Sequence, residues 1–155
     1  MHEHETIERE IPIDAAPEVV YEVVSSPEHV AQWWSDRADF EPVAGSTGTL
    51  VWGEPGSPDH GVNVLTIVEA QPPSRFAFRW CYPPEQAAAE GNSCLVTFDI
   101  SPRDGGSTLR LVETGFPTQG RTPAEVEEQW QSHVDGWAIF VPRLAEHIAA
   151  QVASR

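Results

Sequence analysis

The longest regular pattern of apolar residues lies near the C-terminus and predicts an amphipathic helix. Apolar side chains recur there at steps of three and four residues, which places them on one helical face. This stripe comprises Val126, Trp130, Val134, Trp137, Val141, Leu144 and Ile148. Thr122 is suited to the N-cap, Pro123 to the first helical position and Glu125 to a capping box. A helix of roughly 28 residues would be about 40 Å long.

Segments in which apolar and polar residues alternate come before this helix and predict strands. They are residues 5–13, 49–52, 62–69, 75–81, 94–100 and 108–114. Pro12 lacks an N–H donor and places the first strand near a sheet edge. Two short helices are predicted after that strand, beginning near Pro17 and Pro27. The pattern predicts an α+β fold, with an antiparallel sheet of about six strands curved around one long helix, in a single domain of residues 1–155.

The aromatic face of the long helix has no comparable helical partner, so we expect it to lie on the sheet. A sheet wrapped on one helix often encloses a cavity, and a small hydrophobic or aromatic ligand would bind there. The residues expected to line it are Trp34, Phe76, Phe78, Trp80, Leu111, Glu113, His133, Trp137 and Val141. The alternative is a tightly interlocked core without voids larger than a water molecule.

Gly136 and Trp137 form a notable pair on the helix. The missing side chain of Gly136 is expected to let the backbone approach the sheet closely. If Trp137 is only a core residue, its replacement by alanine would cost roughly 3–5 kcal/mol of stability. If it walls a cavity, the cost would be smaller and ligand affinity would fall.

Glu113 is the strongest candidate for a polar residue of the functional site, because it shares a strand face with Leu109 and Leu111 and should point inward. An inward carboxylate needs a partner, a water molecule or a raised pKa. The alternative is a glutamate at a wet strand end, or one paired to Arg79 or Arg110. If the protein is an enzyme, Glu113 and His133 would form its acid–base pair. A structural role for His133 is the alternative.

Net charge and composition limit the kinds of molecule that the protein is expected to bind. The formal net charge is -15, with only nine basic residues. Nucleic-acid binding is therefore not expected, and an anionic membrane would repel the protein. The N-terminus has no signal-peptide pattern, so two cysteines indicate reduced thiols in a cytoplasm. Strand parity predicts that Cys81 and Cys94 face opposite sides of the sheet and cannot form a disulfide. A homodimer through an open sheet edge is possible.

No motif indicates a resident cofactor or metal. The six histidines lack a paired ligand spacing, and there is no phosphate-binding loop or nucleophile elbow. No cysteine stands where a helix N-terminus would stabilise its thiolate, so a covalent mechanism is not expected.

The order of these segments resembles the helix-grip fold of the START-like superfamily, also called SRPBCC. The resemblance rests on Ala16–Tyr21, Pro27–Val30 with Trp33–Trp34, Pro72–Trp80, Thr108–Phe116, and His133 with Gly136–Trp137 and Leu144. Within the superfamily, the chain resembles the branch named for the activator of heat-shock-protein ATPase homologues. The fold hosts many functions. The resemblance implies a hydrophobic-ligand binder, a cyclase- or hydrolase-type enzyme, or an ATPase-activating interaction module that would need an exposed apolar patch. Whether the chain is an enzyme is left open.

Overall fold

The structure, a computed structural model, describes residues 6–155. Its elements are β1 (Thr6–Ile13), α1 (Pro17–Ser25), α2 (Pro27–Trp33), β2 (Arg37–Asp39), β3 (Thr47–Trp52), β4 (Gly61–Gln71), β5 (Arg75–Trp80), β6 (Cys94–Arg103), β7 (Gly106–Thr114) and α3 (Pro123–Ala153). This confirms the predicted order of one strand, two short helices, a run of strands and a long helix. No helix in the described part of the chain is both long and apolar enough to cross a membrane.

All the strands form one antiparallel sheet in the order β1-β7-β6-β5-β4-β3-β2. The strand carrying Pro12 lies at one edge, as predicted. The sheet has seven strands instead of about six, because the three-residue β2 pairs with β3. So short a strand has no alternation to reveal it in the sequence. The α+β helix-grip architecture is confirmed.

The start of α3 is fixed by the predicted capping box. The Thr122 hydroxyl accepts from the Glu125 backbone N–H at 3.2 Å, and the Glu125 carboxylate accepts from the Thr122 N–H at 2.8 Å. The helix then runs for 31 residues and continues through Pro142. Because Pro142 has no N–H, the carbonyl of Ala138 lacks its usual helical donor. One side of α3 is buried, at Trp137, Leu144 and Ile148.

The inner face of the sheet follows the predicted parity. Phe76, Phe78 and Trp80 of β5 are buried on this face. Their direct partners on β6 are Phe98, Val96 and Cys94, which are also buried. The aromatic residues of two neighbouring strands therefore lie under the helices.

The two tryptophans at the end of α2 close the deep end of the interior. Trp33 is buried, and its indole N–H donates to the carbonyl of Val23 at 3.1 Å. The ring of Trp34 stacks on that of Trp33, with centroids 5.7 Å apart. The void left among them and their neighbours is about 10 Å³, too small for anything beyond a single water. The larger space next to Trp34 therefore lies on the other side of its ring.

Candidate functional site

A cleft of about 270 Å³ lies between the first half of α3 and the strands β3, β4 and β5. Its lining is mostly aromatic, with two uncharged polar side chains and two titratable ones. The lining residues are Trp34, Trp52, Asn63, Trp80, Cys81, Ser132, His133, Gly136, Trp137 and Phe140. An apolar cleft with a few convergent polar groups is the usual form of a small-molecule site.

Trp34 forms the floor of this cleft and separates it from the packed interior. Its ring centroid lies 4.8 Å from that of Trp80, 5.2 Å from that of Trp137 and 5.5 Å from that of Trp52. The carbonyl of Trp34 also accepts the indole N–H of Trp52 at 3.2 Å. Rings held on several sides lose little further freedom when a ligand binds, so this aromatic surface is preorganised.

Gly136 does not play the role expected from the sequence. A Cβ built at this position would meet no atom within 4 Å. The residue therefore does not bring α3 close to the sheet. It lies on the wall of the cleft, where a larger side chain would occupy the open space.

Glu113 lies fully buried behind the cleft and accepts three N–H donors. Oε2 receives the indole N–H of Trp80 at 2.7 Å, and Oε1 receives the indole N–H of Trp137 at 2.8 Å. Nδ1 of His133 lies 2.9 Å from Oε1 and 3.0 Å from Oε2. The inward orientation predicted from strand parity is confirmed. An ionised carboxylate, which only accepts, suits this arrangement.

The arginines considered as partners of Glu113 are engaged elsewhere. Arg110 pairs with Glu8 on the neighbouring strand β1. Arg79 lies 3.5 Å from the hydroxyl of Ser93. The glutamate is neither in a wet strand end nor paired to a guanidinium, so this alternative is wrong. Its charge is balanced by His133.

His133 connects Glu113 to a thiol. Its Nδ1 faces the carboxylate, and its Nε2 lies 4.0 Å from Sγ of Cys81. Burial alone would lower the pKa of His133, but hydrogen bonds to Cys81 and Glu113 outweigh it and raise this pKa to about 9. The imidazolium form is therefore favoured at neutral pH.

Cys81 and Cys94 are brought together, which contradicts the prediction that they face opposite sides of the sheet. The strand alternation stops at Trp80, and Cys81 adopts φ 61°, in the left-handed region. This turns the Cys81 side chain toward His133, whose ring also lies close to the thiol of Cys94, so the two cysteines lie on the same side of the sheet. Both cysteines are free.

The surroundings shift the pKa values of the two thiols in opposite directions. The hydrogen bond from Cys94, and then that from His133, lowers the pKa of Cys81 to about 7 despite burial. The same bond and full burial raise the pKa of Cys94, which therefore stays protonated and donates. The arrangement favours a thiolate at Cys81 beside an imidazolium at His133.

The same cluster is the part of the described chain closest to a metal-binding geometry. Cys94, Glu113 and His133 each place one potential ligand atom within 4.8 Å of the others. Both oxygens of Glu113, however, already accept N–H donors, and Cys94 is held as a thiol. We therefore describe the group as a hydrogen-bonded cluster and assign no metal to it.

The predicted site residues divide into two groups. Trp34, Trp80, His133 and Trp137 lie together on the cleft, with Glu113 directly behind them. Phe76, Phe78 and Leu111 are buried in the core, and Val141 packs against it from α3. The sequence analysis missed Trp52, Asn63, Cys81, Ser132 and Phe140. An aromatic residue at the end of β3 was the one available signal for Trp52.

Comparisons with known proteins agree with this fold. No curated protein matched the chain. Among solved structures, protein MLL2253 from Mesorhizobium loti has a TM-score of 0.74 and 21% identity, covering 94% of this chain and 97% of that one. Protein NE0264 from Nitrosomonas europaea has a TM-score of 0.76 and 12% identity, covering 96% of each chain. DynU16, from the dynemicin biosynthetic locus, has a TM-score of 0.67 and 22% identity, covering 94% of this chain and 47% of that one.

These structural similarities establish the fold and nothing more. The family model described as Activator of Hsp90 ATPase homolog 1-like protein matches residues 14–141. That match includes every strand from β2 to β7 and most of α3. The chain belongs to the family of Activator of Hsp90 ATPase homolog 1-like proteins, within the START-like fold.

Proposed function

We propose that this protein binds a small aromatic or hydrophobic molecule in the cleft between α3 and the strands β3–β5. The observation that carries the proposal is the open, aromatic-walled space above Trp34. The remaining interior around Phe76 and Phe78 is filled. We propose further that this binding takes place in a reducing cytoplasm, which suits two free cysteines.

The size and lining of the cleft define the class of ligand. A volume of about 270 Å³ suits a molecule of one or two rings. Burying ~200 Å² of its apolar surface would supply about 5 kcal/mol, equivalent to a sub-millimolar Kd. Asn63 and Ser132 provide the uncharged hydrogen-bonding groups of the lining. No arginine or lysine of the described residues lines the cleft, and the net charge is -15, so a neutral ligand is favoured over an anion.

An interaction module that activates an ATPase has less support. That function would need a contiguous exposed apolar patch. The exposed large apolar residues of the described chain are Val43 in the loop before β3, Val62 and Val68 six residues apart on β4, and Ile139 and Val152 thirteen residues apart on α3. They are spread along the chain, whereas the aromatic groups converge on the cleft.

The test is a binding titration with 2-naphthol, followed by the intrinsic fluorescence of the cleft tryptophans. The Gly136→Leu variant would fill the cleft from α3 without removing a contact. Ala138→Leu places the same side chain on the exposed side of the helix and is the matched control. We expect wild type and Ala138→Leu to bind 2-naphthol with sub-millimolar Kd, and Gly136→Leu to lose at least tenfold in affinity, roughly 1.4 kcal/mol. Equal affinities in all three proteins would refute the proposal.

Native mass spectrometry of freshly purified protein provides an independent measurement. A retained small molecule present in wild type and absent in Gly136→Leu would identify the natural ligand class. Retention by both proteins would place the ligand elsewhere.

An enzymatic function is the second candidate, and one observation favours it. A thiol and an imidazole line the cleft at Cys81 and His133, and the carboxylate of Glu113 behind them continues the hydrogen-bonding sequence. A nucleophile, a base and a group that orients the base form the usual arrangement for nucleophilic catalysis.

A further inference from the structure

We propose that Cys81 is a nucleophile that forms a covalent thioether with conjugated aryl carbonyl compounds bound in the cleft, with His133 as its proton partner and Glu113 as a positioning residue. The recognition of the aryl group rests on the proposed function. The attack itself rests on the geometry around Cys81. The sequence alone predicts no covalent mechanism, so this inference comes from the tertiary structure.

The order of the three side chains determines their roles. Glu113 accepts from Nδ1 of His133, which directs the other ring nitrogen, Nε2, toward Cys81. The 4.0 Å separation between Nε2 and Sγ is within the range of a hydrogen bond to sulfur. The indole N–H groups of Trp80 and Trp137 hold the carboxylate from the opposite side. The imidazole ring is thus fixed in the orientation that serves the thiol.

Cys94 stabilises the thiolate form of Cys81 from the neighbouring strand. Its buried thiol donates to Cys81, and this bond, with the one from His133, brings the pKa of Cys81 to about 7. The other charged groups near the cluster are Glu113, whose charge opposes the thiolate, and Arg121, which acts on Cys94. The thiolate is therefore available at neutral pH, and the thiolate is the reactive form of cysteine.

The backbone and the surroundings of Cys81 also suit a nucleophile. Among the residues that the structure describes, Cys81 is the one non-glycine with positive φ. Backbone strain of this kind concentrates at working sites. Cys81 is half-buried and lies on two openings, the aromatic cleft and a second cavity of about 440 Å³ that includes Gln86 and Arg121. A reagent can therefore reach the sulfur from solvent.

The proposed step is an addition that balances without an oxidant, a reductant or a leaving group. The Cys81 thiolate donates its electron pair to the β-carbon of the conjugated carbonyl, and the S–C bond forms. The π pair of the C=C bond moves to give an enolate. The α-carbon then takes the proton from Nε2 of His133. The net reaction adds a thiol across one double bond.

This class of electrophile fits the lining better than a simple ester. The aromatic walls would hold the aryl ring beside a soft nucleophile, and Asn63 or Ser132 offers an uncharged donor for the carbonyl oxygen. Ester cleavage would require paired donors aimed at an oxyanion next to Cys81. The described contacts around Cys81 are to the other thiol and to the imidazole.

The experiment measures labelling of the chelator-treated full chain by phenyl vinyl ketone at neutral pH, with intact mass and peptide mapping as readouts. We expect one equivalent on Cys81, none on Cys94, and no labelling of Cys81→Ser. For His133→Gln we expect the labelling rate at pH 7 to fall several-fold, because the thiol of Cys81 loses the imidazolium that helps to lower its pKa while Cys94 remains. Ala138→Leu should label as wild type does.

A pH profile of alkylation by iodoacetamide tests the activation without any ligand recognition. Wild type should show an apparent thiol pKa of about 7, and Cys94→Ala a higher one. Circular dichroism establishes that each variant is folded. If His133→Gln does not fold, the apparent thiol pKa from the wild-type profile is the test of the inference. An ordinary thiol pKa in wild type, or labelling shared equally by both cysteines, would overturn the inference.

Propiophenone, the saturated and unreactive analogue, separates this inference from the proposed function. It should bind in the cleft and slow labelling by phenyl vinyl ketone. If propiophenone binds but the ketone labels Cys81 no faster than it labels free cysteine, the covalent step is wrong and the binding proposal stands. If propiophenone neither binds nor protects, while iodoacetamide still reports a pKa of about 7, the aromatic site is wrong and with it the choice of electrophile.

Discussion

Nδ1 of His133 lies 2.9 Å from Oε1 of Glu113, so a histidine on the long helix is joined to a fully buried carboxylate on β7. The contact ties α3 to the sheet beside the open cleft. Since Glu113 also receives two indole N–H groups, one side chain organises much of the site. The predictions below follow from this group.

Glu113→Gln should lower the free energy of unfolding by about 3 kcal/mol, because a buried charge pair loses one partner. Each oxygen of Glu113 accepts an indole N–H, so the NH₂ group of glutamine must face a donor in either orientation. Urea unfolding measures the effect. Glu41→Gln, at an exposed position, is the control and should change stability by less than about 0.5 kcal/mol. Equal stabilities of the two variants would contradict the prediction.

Trp137→Phe should cost about 2 kcal/mol, because the aromatic ring is kept while the indole N–H to Glu113 is lost. Trp137 is nearly fully buried and also walls the cleft, so both roles considered from the sequence apply to it. Trp130→Phe, on the same helix, removes a longer and exposed bond of 3.4 Å to the Thr6 carbonyl. Thermal melts of the two variants should therefore differ, and a larger loss for Trp130→Phe would refute the argument.

The pH dependence of stability should reveal the His133–Cys81 pair through opposing slopes. The pKa of His133 is raised to about 9, so its contribution is complete below its unfolded value of 6.5 and is lost as pH rises through about 9. The pKa of Cys81 is lowered to about 7, so its contribution is complete above its unfolded value of 9.0 and is lost as pH falls through about 7. Between about pH 7 and 9 the two slopes offset each other.

Replacing Cys81 by alanine should reveal the pH dependence that His133 contributes to the free energy of unfolding. In Cys81→Ala, we expect the hydrogen bond and the charge of Glu113 to keep raising the pKa of His133. The free energy of unfolding of this variant should therefore fall as pH rises above 6.5, more steeply than that of wild type. Urea unfolding at a series of pH values measures both slopes. Parallel curves for the two proteins would show that the pair is not ionised as described.

Gly136→Ala should stabilise the protein by about 1 kcal/mol, because alanine is the better helix former and its Cβ meets no atom within 4 Å. The same methyl group projects toward the cleft, so affinity for 2-naphthol should fall modestly. A melt and a titration on one sample give both numbers. Destabilisation would show that the backbone of α3 is packed closely against the sheet at this point.

The sequence predicts the parts of this molecule that depend on local periodicity and capping. Strand parity places Glu113 on the inner face, and the Thr122–Glu125 capping box marks the start of α3. Both follow from contacts within a few residues along the chain. The apolar stripe of α3 likewise identifies its buried side at Trp137 and Leu144.

The remainder of the site depends on departures from regular structure. Strand alternation ends one residue earlier than predicted, and the left-handed conformation of Cys81 reverses the direction of its side chain. No pattern of residue types reports that change. The division of the interior by Trp34 also depends on where α2 meets the sheet, which is a long-range property.

The two edge strands of the sheet, β1 and β2, resist pairing with a strand of another molecule in different ways. β2 offers only three residues of backbone at one border. At the other, β1 carries Pro12, which interrupts the row of N–H donors, and the charged residues Glu8, Arg9 and Glu10. Self-association by β-sheet extension, an early step in amyloid growth, is therefore discouraged at both ends.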